Sequence, residues 1–129
     1  MFYQPIVRLS DQSIAGFEAL IRWQHPERGL ISPADFVPLA EDTGLILQIG
    51  RWAMQEAAEQ LSRWQKTHDS GLFMSVNVSG RQMLDDDMVE CVRHVLGDTG
   101  IAPDTLKLEI TESLLMDDPG RAVAMMQQI

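Results

Sequence analysis

From Leu45 to about Lys66, the apolar residues Ile46, Ile49, Ala53, Ala57, Leu61 and Trp64 recur every three or four positions. Glu56, Glu59, Gln60 and Arg63 fall between them, so the segment is predicted to be one amphipathic helix. A shorter helix is expected just ahead of it. Ser32 is suited to the N-cap, Pro33 to the first helical position, and Phe36, Leu39 and Ala40 to an apolar face, with Gly44 as the stop. Asp85, Asp86 and Asp87 are placed to cap a third helix and to favour its positive end. That helix would bury Met88, Val92, Val95 and Leu96 and end at Gly97 or Gly100; a fourth opens at Asp118-Pro119. Strand patterns occupy Phe2 to Leu9, Ile14 to Trp23, Leu72 to Ser79 and Leu106 to Thr111. Ser10 to Ser13 reads as a turn and His25 to Gly29 as a loop.

After an initial strand pair, strands therefore alternate with helices. Such an order implies an α/β protein with mostly parallel strands and helices outside, either an open doubly wound sheet or a barrel. The pattern opens within a strand at Phe2 and is still helical at Ile129, so part of a larger fold is expected.

At 129 residues the chain is in the one-domain range. Ten basic against nineteen acidic residues leave a net charge of −9. That balance argues against DNA or RNA as a partner, because a nucleic-acid binder needs a basic surface. The single cysteine, Cys91, excludes an internal disulfide and fits a reducing compartment. No apolar run approaches the roughly 18 residues of a membrane span, and no signal peptide opens the chain. A cytoplasmic protein is expected.

Chemistry enters through the alternation within the strands. Glu18, Leu20 and Arg22 would share one face of the second strand, Ser75, Asn77 and Ser79 one face of the third, and Lys107, Glu109 and Thr111 one face of the fourth. Parallel strands are normally apolar on both faces. Two readings of this polar face stay open: a solvated side of the sheet, or a cluster around a ligand or metal. Glu18, Asn77 and Glu109 all offer hard oxygen donors, which suit Mg²⁺ or Mn²⁺ and suit zinc poorly. His25, His68 and His94 show no ligand spacing, Cys91 and His94 make no zinc site, and no nucleophile motif or phosphate-cradling loop is present.

Five motifs in order carry a family resemblance: Tyr3-Gln4-Pro5-Ile6, Glu18-Ala19-Leu20-Ile21-Arg22-Trp23, Ser32-Pro33 to Glu41, Ser75-Val76-Asn77-Val78-Ser79, and Leu108-Glu109-Ile110-Thr111-Glu112-Ser113. Over essentially its whole length the chain resembles the EAL domain, a bacterial family of cyclic-di-GMP phosphodiesterases on a modified (β/α)₈ barrel. The resemblance implies a TIM-type barrel whose first strand runs antiparallel to the rest. It implies hydrolysis of one phosphodiester bond of cyclic-di-GMP, giving the linear dinucleotide, at a site with two divalent metals. Glu18, Asn77 and Glu109 match the metal ligands, and Arg22 matches the arginine that holds a substrate phosphate. Gln4 and Leu20 match positions lining the nucleotide site, and Glu112 a second glutamate that organises the metal site. Glu18 and Glu112 are thereby the candidate catalytic residues.

A barrel of this type needs roughly 250 residues. The family's Asp-Asp-Phe-Gly-Thr-Gly segment and its later lysine, glutamate and glutamine have no counterpart here, and neither Asp85-Asp86-Asp87 nor Asp117-Asp118 replaces them. Residues 1–129 are therefore expected to be the N-terminal half of the barrel, about four strands, inactive alone and prone to self-associate through open sheet edges. The alternative function is a degenerate EAL domain that binds cyclic-di-GMP or a protein without cleaving it. The resemblance also leaves room for sensory or diguanylate-cyclase-like domains in a longer parent.

Overall fold

The computed structural model describes residues 1–110 and 119–129. A four-stranded sheet has the order β1 (Phe2–Val7), β2 (Ile14–Leu20), β5 (Phe73–Val78), β6 (Leu106–Ile110). β1 is antiparallel to β2, and β2, β5 and β6 are mutually parallel. The parallel strands are joined through helices, as a βαβ connection requires. This mixed arrangement is the expected part of an α/β barrel.

β2 stops at Leu20, and the chain then makes a small hairpin, β3 (Trp23–His25) with β4 (Gly29–Ile31). The continuous strand expected through Trp23 is therefore broken, and Arg22 lies beyond β2 rather than on it. α1 (Pro33–Thr43) begins as expected, with Ser32 Oγ accepting from the Ala34 N–H. It ends at Gly44, whose φ of 81° lets the chain turn directly into α2 (Leu45–Thr67). A one-turn helix, α3 (Gly80–Met83), follows β5 and precedes α4 (Met88–Thr99). A 3₁₀ turn (Pro103–Thr105) leads into β6, and α5 (Pro119–Met126) closes the described chain.

Asp87 sits at the N-cap of α4 but makes no capping bond with its side chain. Asp85 and Asp87 instead pair with Arg51 of α2 at 3.3 and 3.0 Å, and Asp86 pairs with Arg121 of α5 at 3.0 Å. Ion pairs to two neighbouring helices have displaced the expected capping role. Gly100, with φ of 67°, ends α4, while Gly97 lies inside it.

The core lies between the outer face of the sheet and the helices. Ala19, Met74, Val76 and Val78 meet Met54, Ala57, Ala58 and Leu61 of α2, with Val92 and Val95 of α4 in the same cluster. Small residues on α2 let that helix lie close to the strands. Trp64 closes one end, 5.1 Å from the Tyr3 ring and 4.3 Å from the Phe17 ring. Burial pushes the Tyr3 hydroxyl up, Glu56 adds to this and Arg63 opposes it. Cys91 is half-buried. No helix among the described residues is long and apolar enough to cross a membrane.

Candidate functional site

The opposite face of the same strands is built in rows. Ile6, Gly16 and Phe73 pair across the sheet at the N-terminal ends of the parallel strands. The next row is Gln4, Glu18, Ser75 and Lys107. One step further, Phe2 pairs with Leu20, and Asn77 pairs with Glu109. The carboxyl ends of β2, β5 and β6 thus bring Leu20, Asn77 and Glu109 to one rim, with Glu18 and Gln4 one row below. In barrels built from parallel strands this rim is where ligands are held.

Two hydrogen bonds tie the rows together. Asn77 Nδ2 donates to Glu18 Oε1 at 2.8 Å. Ser75, 1% exposed, donates its hydroxyl to Glu109 Oε1. Asn77 gives its amide N–H to a carboxylate, so its carbonyl oxygen is the atom it has left to offer a cation. Lys107 Nζ lies 3.5 Å from the centre of the Phe73 ring, so this ammonium points toward the floor of the face.

At the floor the strands approach closely: a Cβ on Gly16 would fall 2.4 Å from the Phe73 carbonyl oxygen and 2.7 Å from its ring. Phe73 therefore covers Gly16.

Beyond the rim, Arg22 donates from Nη1 to the Ile21 carbonyl at 2.7 Å, and its guanidinium carbon is 5.8 Å from the Phe2 ring centre. Arg22, Leu20 and Asn77 line a cavity of about 230 Å³ backed by Ile49, Gly50 and Gln82. The fold thus brings together Glu18, Asn77, Glu109, Leu20 and Arg22, while Gln4 occupies the exposed β1 end of the lower row. Glu112 lies outside the described residues.

The donor set is two carboxylates and one amide, all hard oxygen ligands, on adjacent rows of adjacent strands. Such a set fits Mg²⁺ or Mn²⁺ completed by water or further carboxylates. Among the described residues no three His, Cys, Asp or Glu side chains form a metal cluster by themselves. The histidines are engaged locally. His25 Nδ1 accepts the N–H groups of Glu27 and Arg28 at 3.1 and 3.2 Å, and His94 Nε2 is 3.2 Å from Asp98 Oδ2. Burial raises the Cys91 thiol, with Arg51 opposing and Asp85 adding, which makes it a poor nucleophile.

Ser75 is the site residue that reasoning about charge and ligand type overlooks. Its signal was positional: it lies two residues before Asn77 on the same strand face, next to the strand that carries Glu109.

Comparison with known proteins points in one direction. The family model for the EAL domain matches residues 1–129. The bifunctional diguanylate cyclase/cyclic di-GMP phosphodiesterase MucR of Pseudomonas aeruginosa is 40% identical over 129 residues, 100% of this chain and 19% of that protein. The cyclic di-GMP phosphodiesterase PdeR of Escherichia coli K12 is 37% identical over 128 residues, 98% of this chain and 19% of that protein. The solved PaMucR phosphodiesterase in complex with c-di-GMP superposes with a TM-score of 0.93 at 40% identity, over 98% of this chain and 51% of that one. The chain therefore spans about half of that solved structure and about a fifth of these two curated relatives.

Proposed function

Because this chain belongs to the EAL domain family, we propose that residues 1–129 form the N-terminal half of a cyclic-di-GMP phosphodiesterase site. The observation that carries the reading is the placement of Glu18, Asn77 and Glu109 on adjacent rows of one strand face, beside Leu20 and Arg22. Glu18, Asn77 and Glu109 are the ligands we assign to Mg²⁺ or Mn²⁺. The chemistry a bound divalent cation supplies in such a site is polarisation of a phosphoryl oxygen and acidification of a water.

The chain's own residues divide the remaining work. Asn77 holds Glu18 by its amide, and Ser75 holds Glu109 by its hydroxyl, so each carboxylate keeps a fixed orientation. Arg22 is suited to a phosphate oxygen, because its planar fork offers parallel donors from a half-buried position. Leu20 supplies an apolar surface for a base, and Gln4 a polar boundary. Glu112 is assigned to organising the metal site from the segment after β6. Cleavage of one phosphodiester bond then needs further ligands from the rest of a barrel, so the chain alone is expected to be inactive.

A chimera tests this. Residues 1–129 replace the matching part of the PaMucR phosphodiesterase, and hydrolysis of cyclic-di-GMP is followed with Mg²⁺ or Mn²⁺. Metal-dependent turnover that Glu18→Ala abolishes is the expected outcome. A folded chimera that binds the dinucleotide without cleaving it would favour the regulatory module instead. We further propose that the isolated chain self-associates, since among the described residues β1 and β6 end the sheet and each offers unpaired backbone groups on one side. Light scattering of the 129-residue chain should give more than the monomer mass; a monodisperse monomer would contradict it.

A further inference from the structure

The segment Ser79–Met83, just past the rim, is held with more care than a one-turn connection needs. Ser79 and Gln82 form a reciprocal capping box: Gln82 N–H donates to Ser79 Oγ at 3.3 Å, and Ser79 N–H donates to Gln82 Oε1 at 3.1 Å. A four-residue helix has almost no stability of its own, because nucleation outweighs the bonds it forms. Yet Gln82 is 6% exposed, and burying a primary amide is costly unless it is well placed. Its amide occupies the space above Gly50, in the middle of α2, where a Cβ would fall 1.7 Å from Gln82 Nε2. A glycine inside a helix is itself unfavourable by about 1 kcal/mol relative to alanine. Two locally unfavourable choices on distant parts of the chain thus meet at one contact.

Arg81 anchors the same turn a second time, donating to the carbonyls of Glu41 and Asp42 at the end of α1. What both anchors fix is the backbone at Ser79, two residues beyond Asn77. Gly50 and Gln82 also line the cavity that Asn77, Leu20 and Arg22 share.

We infer that Gln82, seated over Gly50, is a positioning residue that sets the end of β5 and thereby the Asn77 amide at the rim. The inference takes its functional meaning from the metal site proposed above, but its geometric content does not depend on metal. In the wild-type fold the Asn77 amide reaches Glu18 because Ser79 is held, and Ser79 is held because Gln82 fits against a bare α-carbon on α2. Any side chain at position 50 removes that fit.

The test uses the chimera with the PaMucR phosphodiesterase, with NMR resonances of the Asn77 side-chain amide, Mn²⁺ affinity and urea denaturation as readouts. Gly50→Ala and Gln82→Ala should each displace the Asn77 amide resonances and weaken Mn²⁺ binding about tenfold, the lower end of what outer-shell changes cost. Gln82→Glu, which keeps an acceptor for the Ser79 N–H but buries a carboxylate, should keep the Asn77 amide near wild type while lowering the urea midpoint. Adding Gly50→Ala to Gln82→Ala should move the Asn77 amide and Mn²⁺ affinity no further, since the amide it would strike is gone, and should raise the urea midpoint. Should Gly50→Ala fail to fold, Gln82→Asn, too short to span to the Ser79 N–H, takes its place with the same expectation. Asn77 resonances that stay in place while the urea midpoint falls would overturn the inference and leave Gln82 a helix cap. If the unmutated chimera binds no Mn²⁺ but the variants still move the Asn77 amide, the positioning role stands and the metal assignment fails.

Discussion

The two faces of the four-stranded sheet are made by alternate residues of the same strands, and they behave as different materials. On the outer face Ala19, Met74, Val76 and Val78 are all at most 3% exposed and pack against α2 and α4. On the inner face Asn77, Lys107 and Glu109 remain exposed, and the carboxylates of Glu18 and Glu109 are each held by one neighbour. The outer face needs no specific partner, because burial is non-directional and scales with area. The inner face depends on single hydrogen bonds between named atoms. Cohesion and chemistry are thus separated by the two-residue period of a strand, and a change on one side should leave the other largely untouched.

The largest effect should come from the cohesive side. Leu61, 0% exposed at the centre of α2, should destabilise the chain by about 2–5 kcal/mol when cut to alanine. Urea denaturation measures this, and a loss well below that range would mean the outer face is not what holds the fold. Ser75 belongs to the inner face but is buried, so Ser75→Ala sharpens the division. It should cost about 1 kcal/mol by removing one hydrogen bond, and should release Glu109, visible in the carboxyl carbon resonance of that residue. Glu18→Gln keeps an oxygen acceptor for the Asn77 amide, so it should cost no more than about 1 kcal/mol in the same denaturation experiment while abolishing turnover in the chimera. A large stability loss there would break the separation.

The smallest effect is on the alkaline side. Tyr3 and Cys91 both have raised folded-state pKa values, chiefly through burial. The unfolded chain then releases these protons first as pH rises, so their stabilisation is intact below the ordinary thiol and phenol ranges and is lost above them. The urea midpoint should fall gradually from about pH 9 upward. The combined Tyr3→Phe and Cys91→Ser changes should flatten that fall, and no inner-face substitution should.

Elements with many periods were legible and short ones were not. The stripe from Ile46 to Trp64 spans several turns and identifies α2 on its own, and the alternation in β5 and β6 predicts which side chains share a face. The hairpin of β3 and β4 has three residues per strand, too few to show alternation, and Pro26 and Gly29 gave it the composition of a loop. α3 is a single turn and carries no period, although the Ser79 and Gln82 pair was a local sign of a helix start. The aspartates before α4 followed long-range partners: Arg51 and Arg121 lie 34 and 35 positions away in the chain from Asp85 and Asp86. At the site, ligand chemistry singled out Glu18, Asn77 and Glu109, but not the uncharged Ser75 or Gln82, whose importance rests on contacts between strands and helices.

The stack of Gly16, Phe73 and Lys107 gives the inner face an electrical polarity. An aromatic ring covers Gly16 at its lower end, and an ammonium rests 3.5 Å from the centre of that ring. A cation at the carboxylates of the upper rows has this ammonium, and its repulsion, on the side toward Phe73. Positive charge is thus sorted along the strand axis, repelled beside Phe73 and drawn toward the carboxyl ends of β2, β5 and β6.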